Sequence, residues 1–133
     1  MHARVQRGHG EFLFVGKGAT DFRALARFRS AELVSINMSS NRLTSTIGLA
    51  QHASLISLDL SHNLIETIDG LEGLANLQVL RLHHNHLTSA TGLEQLHQLQ
   101  VLDVNNNDLT SIAELRRCTA LTELDVSCNA LSE

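Results

Sequence analysis

Leucine and its aliphatic substitutes recur along this chain with a period that neither an amphipathic helix nor a hairpin produces. Leu33, Leu55, Leu77, Leu99 and Leu121 stand 22 residues apart, and Asn41, Asn63, Asn85, Asn107 and Asn129 keep the same spacing. Around them the frame L-x-x-L-x-L-x-x-N-x-L is written five times, as LVSINMSSNRL, LISLDLSHNLI, LQVLRLHHNHL, LQVLDVNNNDL and LTELDVSCNAL. A fixed period of roughly 20–50 residues marks an array of stacked units. Alternation such as Leu58-Asp59-Leu60 predicts a short strand with two leucines turned inward and Asp59 turned to solvent. The second half of each unit repeats Gly48-Leu49, Gly70-Leu71 and Gly92-Leu93, with Glu114-Leu115 as the exception. The glycine permits a turn that a Cβ hinders, and residues such as Leu71 and Leu74 then close the core from the outer side.

The asparagine stands where the chain turns out of the strand. Its amide both donates and accepts, so stacked asparagines are expected to satisfy backbone groups of adjacent coils that would otherwise be buried unpaired. A unit this short cannot bury its own apolar face, and stability must come from neighbours. Residues 33–133 hold five such units, the last incomplete, with no polar capping helix after it. The expectation is therefore a longer array or an open end that pairs with something. Residues 1–32 read as an N-terminal cap or degenerate repeat, because all four phenylalanines (Phe12, Phe14, Phe22, Phe28) lie there. Phe12 to Val15 reads as a strand, and Thr20-Asp21 opens a segment with Phe22, Leu25 and Phe28 on a helix-compatible face. Val15, Leu25 and Phe28 fit the repeat frame with one residue deleted.

At 133 residues the chain is one domain, and with no Trp, Tyr or Pro its core must be aliphatic. No apolar run approaches the ~20 residues of a membrane helix. Residues 1–30 carry six basic and two acidic side chains, leaving four basic and twelve acidic ones to residues 31–133. An acidic body repels phosphate backbones, so nucleic acid is not the expected partner. Two cysteines, Cys118 and Cys128, are too few to staple a secreted repeat domain, and Phe12 to Val15 is too short for a secretory apolar segment. A cytoplasmic location is expected, nuclear or cytoskeleton-associated sites included.

The repeat resembles the leucine-rich repeat proteins, and within them the 22-residue cytosolic subfamily that includes the protein phosphatase-1 regulatory subunit, whose unit reads L-x-x-L-x-L-x-x-N-x-L-x-x-I-x-G-L-x-x-L-x-x. The match runs over residues 33–133, with Thr46 and Ala90 in place of the mid-unit Ile and His52 and Cys118 in place of the last Leu. The resemblance implies an α/β fold: a right-handed leucine-rich-repeat solenoid with a parallel sheet on its concave face and short turns or helical turns on its convex face. It also implies a non-catalytic scaffold or regulator. The partner would be a protein, such as a phosphatase catalytic subunit or a cytoskeletal or flagellar component. Asp59, Asp103, Glu123 and Asp125 match the acidic part of that subfamily's strand face, while no aromatic residue stands on this one. The alternative is a structural end-segment of a longer repeat protein whose binding surface lies outside this chain.

Outward positions of stacked strands form columns. One reads Asn37, Asp59, Arg81, Asp103, Asp125, the next Ser39, Ser61, His83, Asn105, Ser127, and the one beyond Ser40, His62, His84, Asn106, Cys128. The residues expected to meet a protein are Asn37, Asp59, Arg81, His83, Asp103, Asn105, Glu123 and Asp125. Arg81 stands between Asp59 and Asp103, which predicts both a lateral salt-bridge ladder and a charged anchor for a partner. Asp103 and Asp125 lie side by side without a cation between them, an arrangement suited to a basic partner. His62, His83, His84 and His86 gather near the turns, but parallel columns do not converge on a metal, and no metal or other cofactor is expected. Ser61, His83 and Asp103 are close enough to raise the question of a nucleophile. Nothing in the sequence offers an oxyanion hole, and Gly8, Gly10, Gly16 and Gly18 lack the ending of a phosphate loop, so no enzymatic activity is expected.

Overall fold

Alternation inside each leucine frame yields a three-residue strand, and the strands stack. The computed structural model describes residues 4–6 and 10–132, with the backbone alone for Arg4–Gln6. Arg7 and Gly8, counted above in the basic segment and the glycine-rich stretch, lie outside the described residues. The strands are β1 (Arg4–Gln6), β2 (Glu11–Leu13), β3 (Ser35–Asn37), β4 (Ser57–Asp59), β5 (Val79–Arg81), β6 (Val101–Asp103) and β7 (Glu123–Asp125). They form one sheet in chain order. β1 runs antiparallel to β2 and every later pair is parallel, with Ile36, Leu58, Leu80, Leu102 and Leu124 side by side. The chain is a solenoid of about five turns with a parallel sheet along one side.

The return path of each coil lies opposite the sheet. Its recurring element is a backbone bond across three residues, from the N–H of Phe28, His52, Leu74, Leu96 and Cys118 to the carbonyl of Leu25, Leu49, Leu71, Leu93 and Leu115. Only three returns tighten into 3-10 helix, at Arg23–Leu25, Leu93–Gln95 and Ala113–Arg117, and the described residues contain no α-helix. Gly48, Gly70 and Gly92 open their returns at φ of 110°, 86° and 108°, a conformation closed to most side chains. Glu114 cannot follow them there. Its coil folds residues Ala113–Arg117 into right-handed 3-10 helix instead.

Leucines from both halves of the unit meet between sheet and return: Leu58, Leu60, Leu80, Leu82, Leu71, Leu74 and Leu93 are fully buried. Four frame substitutions lie inside the core; Ala90 is simply a smaller apolar side chain, and the other three are each accommodated differently. Thr46 is buried and its hydroxyl donates to the Asp69 carbonyl. Cys118 donates its thiol to the Leu93 carbonyl at 3.2 Å, and burial, with Glu94 nearby, raises its pKa. His52 fares worse. The Gln51 amide reaches its Nε2 at 3.4 Å, leaving the other ring nitrogen, Nδ1, buried without a partner.

The first coil differs in register from the expectation. Phe12 and Phe14 take the two inward strand positions, while Val15 is 38% exposed. Phe12 pairs with Ile36, 24 positions on, where Ile36 pairs with Leu58 at 22. The surplus is the stretch Arg29–Glu32, which joins Phe28 to Leu33 and closes on itself through Glu32 N–H to Arg29 O at 3.1 Å. A two-residue insertion, rather than a deletion, thus separates this coil from the frame. Phe12 stacks on Phe14 at 5.7 Å between ring centroids and meets Phe28 edge-on at 5.3 Å. These rings fill the end of the leucine column with bulk that one aliphatic layer lacks. β1 pairs the outer edge of β2 and so occupies backbone groups that would otherwise invite another strand.

Asparagine amides tie the coils together. Asn85 donates through Nδ2 to the carbonyls of Leu60 and Leu82, both at 3.0 Å, and accepts the Ile65 N–H at 2.9 Å. Asn63, Asn107 and Asn129 repeat the pattern in their own coils. Asn41 extends it into the first coil, donating to Phe14 O at 2.7 Å and accepting from Ala19 N–H at 3.0 Å.

Two stability measurements follow from these contacts. Asn85→Ala strands the Ile65 N–H and leaves the Leu60 and Leu82 carbonyls with one asparagine donor each, from Asn63 and Asn107. At ~1–3 kcal/mol for a buried group left unpaired, urea unfolding should show a loss of at least ~1 kcal/mol. Asn129→Ala, at the less buried last coil, should cost less. For His52, burial lowers the imidazole pKa, so the unfolded chain binds the proton more tightly than the fold does. Its contribution to stability is whole above the ordinary histidine value of about 6.5 and is lost as the pH falls below it. His52→Leu should raise the melting temperature and flatten its dependence on pH below that value; an unchanged slope would assign the acid sensitivity elsewhere.

Candidate functional site

Parallel pairing sets Asn37, Asp59, Arg81, Asp103 and Asp125 in one row across β3 to β7. Glu123 opens β7 in the neighbouring row beside Val101. His83 and Asn105 follow the ends of their strands. A shallow hollow of about 180 Å³ brings Arg81, Asp103, Glu123 and Asp125 together with Val101, Leu102 and Leu124. Asn37 and Asp59 lie along the same row outside it.

The acidic row has a local task that the columns alone did not reveal. Asp59 Oδ1 accepts from the N–H and hydroxyl of Ser61 at 2.9 and 2.7 Å. Asp125 Oδ1 accepts from the N–H and hydroxyl of Ser127 at 3.0 and 2.6 Å. Asp103 Oδ1 accepts from the N–H and side-chain amide of Asn105 at 3.1 and 2.6 Å, and Asn37 Oδ1 from the Ser39 N–H at 3.0 Å. Each is a side-chain turn over two residues that holds the strand exit. The Ser127 bonds, joined by Asn105 and His83, keep the Asp125 carboxyl below its usual range against the opposing effect of desolvation. The signal in the sequence is Asp/Asn-x-Ser/Asn in four of the five units. Only Arg81-Leu82-His83 breaks it.

The salt-bridge ladder is not formed. Among the described residues no carboxylate lies within 4.0 Å of the Arg81 guanidinium, and the ion pairs are Arg23 with Asp21 and His83 with Asp103. The flanking carboxylates are already engaged by their own turns. An exposed pair contributes only ~0–1 kcal/mol, which does not offset the ordering of a long side chain. Arg81 therefore stands in solvent.

Beyond the strands the chain turns through Ser40, His62, His84, Asn106 and Cys128, all at φ of 54–56°. Asparagine and histidine tolerate this left-handed conformation better than most side chains. It stacks the His62 and His84 rings nearly parallel, 4.4 Å between centroids, while His83 meets them edge-on at 5.4 and 5.8 Å. His83 Nδ1 lies 3.2 Å from Asp103 Oδ2, an ion pair once the ring is protonated, though out of line for a hydrogen bond. Burial lowers the His62 pKa, and repulsion from His84 and His83 lowers it further, opposed by Asp59. No group of three His, Cys, Asp or Glu among the described residues is placed to hold a metal ion. The Ser61 hydroxyl is engaged by Asp59 rather than by His83. Cys128 is exposed and lines a second groove, of about 390 Å³, with His84, His86 and Asn106.

The turn geometry predicts a split between size and charge. Asp59→Ala should lower stability by about 1 kcal/mol, the worth of the bonds to Ser61, whereas Asp59→Asn keeps the accepting oxygen and should cost clearly less. Equal losses in denaturant midpoint would dismiss the turn as the reason for the acid.

The family model "Leucine Rich repeats (2 copies)" matches residues 53–95 and 97–133, more than half of the chain. Among solved structures, an internalin (inlF) from Listeria monocytogenes str. 4b F2365 superposes with a TM-score of 0.73 at 29% identity, over 77% of this chain and 31% of its own. An internalin C2 (inlC2) from the same strain superposes with a TM-score of 0.74 at 21% identity, over 93% of this chain and 74% of its own, a likeness of fold alone. The chain thus spans about a third of the length of the first of these structures. No curated protein matches it. No helix among the described residues is long and apolar enough to cross a membrane. By its repeat frame, its stacked strands and the family match, the chain belongs to the leucine-rich repeat family, whose domains in general mediate protein–protein interaction.

Proposed function

We propose that this chain is a non-catalytic interaction module, a scaffold or regulator that holds a protein partner on its strand face. The observation that carries the reading is the hollow of Arg81, Asp103, Glu123 and Asp125. There, three carboxylates and one unpaired guanidinium stand on a row of strands whose spacing is set by the leucine core. A rigid repeated sheet of this kind presents side chains at ~4.8 Å intervals, the spacing of hydrogen-bonded strands, and loses little freedom on binding. Val101 and Leu124 add apolar surface to the same hollow. The reading includes the 22-residue cytosolic subfamily, a cytoplasmic, nuclear or cytoskeleton-associated location, and a partner drawn from phosphatase catalytic subunits or cytoskeletal and flagellar proteins. The four-to-one excess of acid over base on the row and beside it favours a partner with basic residues at the contact.

The test is a pull-down with the full-length gene product and its D103N/E123Q/D125N variant, read by mass spectrometry. Asn at 103 and 125 preserves the oxygen that each turn requires. The melting temperature should therefore stay close to the wild-type value, while recovery of the specific partner falls at least fivefold, about 1 kcal/mol. Equal recovery would move the site off the strand face.

A further inference from the structure

The one unit that lacks a turn-forming acid is also the one that carries the histidine cluster. Replacement of the acid by Arg81 frees His83 from the side-chain turn of the other units, and its ring fills the corner between His62, His84 and Asp103. Three imidazoles in mutual contact therefore stand beside the carboxylate row, between Asp59 and Asp103. Histidine is the side chain whose charge changes between about pH 5 and 8.

Taking the strand face as the binding surface, we infer that its partner contacts it through lysine or arginine side chains and that acidification to about pH 5.5 releases them, because protonated His62, His83 and His84 then compensate the carboxylates. The charged and titratable groups around the cluster are Asp59 on β4, Arg81 on β5, Asp103 on β6 and Asp125 on β7, with His86 and Cys128 along the adjoining groove. With the imidazoles in their neutral form the acids dominate the face. Once protonated, His83 pairs with the Asp103 carboxylate that the partner's cation had used. Burial, with repulsion from His84 and His83, holds the His62 pKa below the ordinary histidine value.

The experiment uses labelled octalysine as the probe, by fluorescence anisotropy at about 20 mM salt, where screening is weak. Wild type is compared with H62N/H83Q/H84N at about pH 7.5 and about pH 5.5; Asn suits the left-handed positions and neither amide titrates. Wild-type affinity should fall about tenfold on acidification while the triple variant stays within about twofold. Bound octalysine should also lower the titration midpoints of the three imidazoles in NMR, as reciprocity of proton and peptide binding requires. Binding at the higher pH that weakens equally in both proteins, or not at all in wild type, overturns the acid release and leaves the binding face standing. Imidazole midpoints unmoved by the peptide do the same. No binding at the higher pH overturns the cationic partner itself, and the release with it.

Discussion

Each coil of this solenoid turns out of its strand before it can pair its own backbone, and the groups left over face the interior. The asparagine amide of the next coil meets them with one donor and one acceptor and gives its second donor to its own coil, so each coil is completed by its neighbour. Leucine burial supplies the driving force, but it is non-directional and would tolerate slippage of one coil over the next. The amide ladder removes that freedom. It requires the asparagine to stand a fixed number of residues after the strand, and it holds the rows of the sheet in register across five turns. The outward row of side chains inherits its spacing from that requirement.

The same economy shapes the strand face. An Asp on a strand exit serves inward with one oxygen, fixing the backbone two residues on, and outward with the other. With the strand face proposed as the binding surface, stability and recognition are therefore not separate sets of residues, and a substitution that removes the side chain tests both at once. The third unit escapes this double duty. Arg81 has no oxygen to accept a turn bond, and the space along the strand exit is taken by the His83 ring, edge-on to the stacked His62 and His84, in place of a serine hydroxyl. Departure from the repeat, rather than the repeat itself, marks where this face carries distinctive chemistry.

At the N-terminal end the leucine column stops on aromatic rings. Phe12, Phe14 and Phe28 replace the next aliphatic layer, and the two added residues between Phe28 and Leu33 let the return pass around them. The antiparallel β1 then occupies the open edge of β2. A parallel array has no internal device for ending itself, so both its face and its edge need a different element.

Period, strand positions, core leucines and asparagine ladder were all legible in the sequence, because each depends on one residue type recurring at one interval. Glu114 also announced itself as the glycine exception. What depended on distances between coils was not legible. The sequence placed Arg81 between two aspartates, but whether they pair turns on how each carboxylate is already held, and only the folded turns show Ser61 and Asn105 there. Val15 looked as inward as Phe14 until strand pairing set the register of the first coil. His62, His83 and His84 were neighbours in any stacking; their ring contacts arose from the left-handed turn, which no side-chain pattern encodes. Periodicity is a property of the chain and survives being read in one dimension, whereas the partner of a charged or ring side chain is chosen by geometry among several candidates within reach.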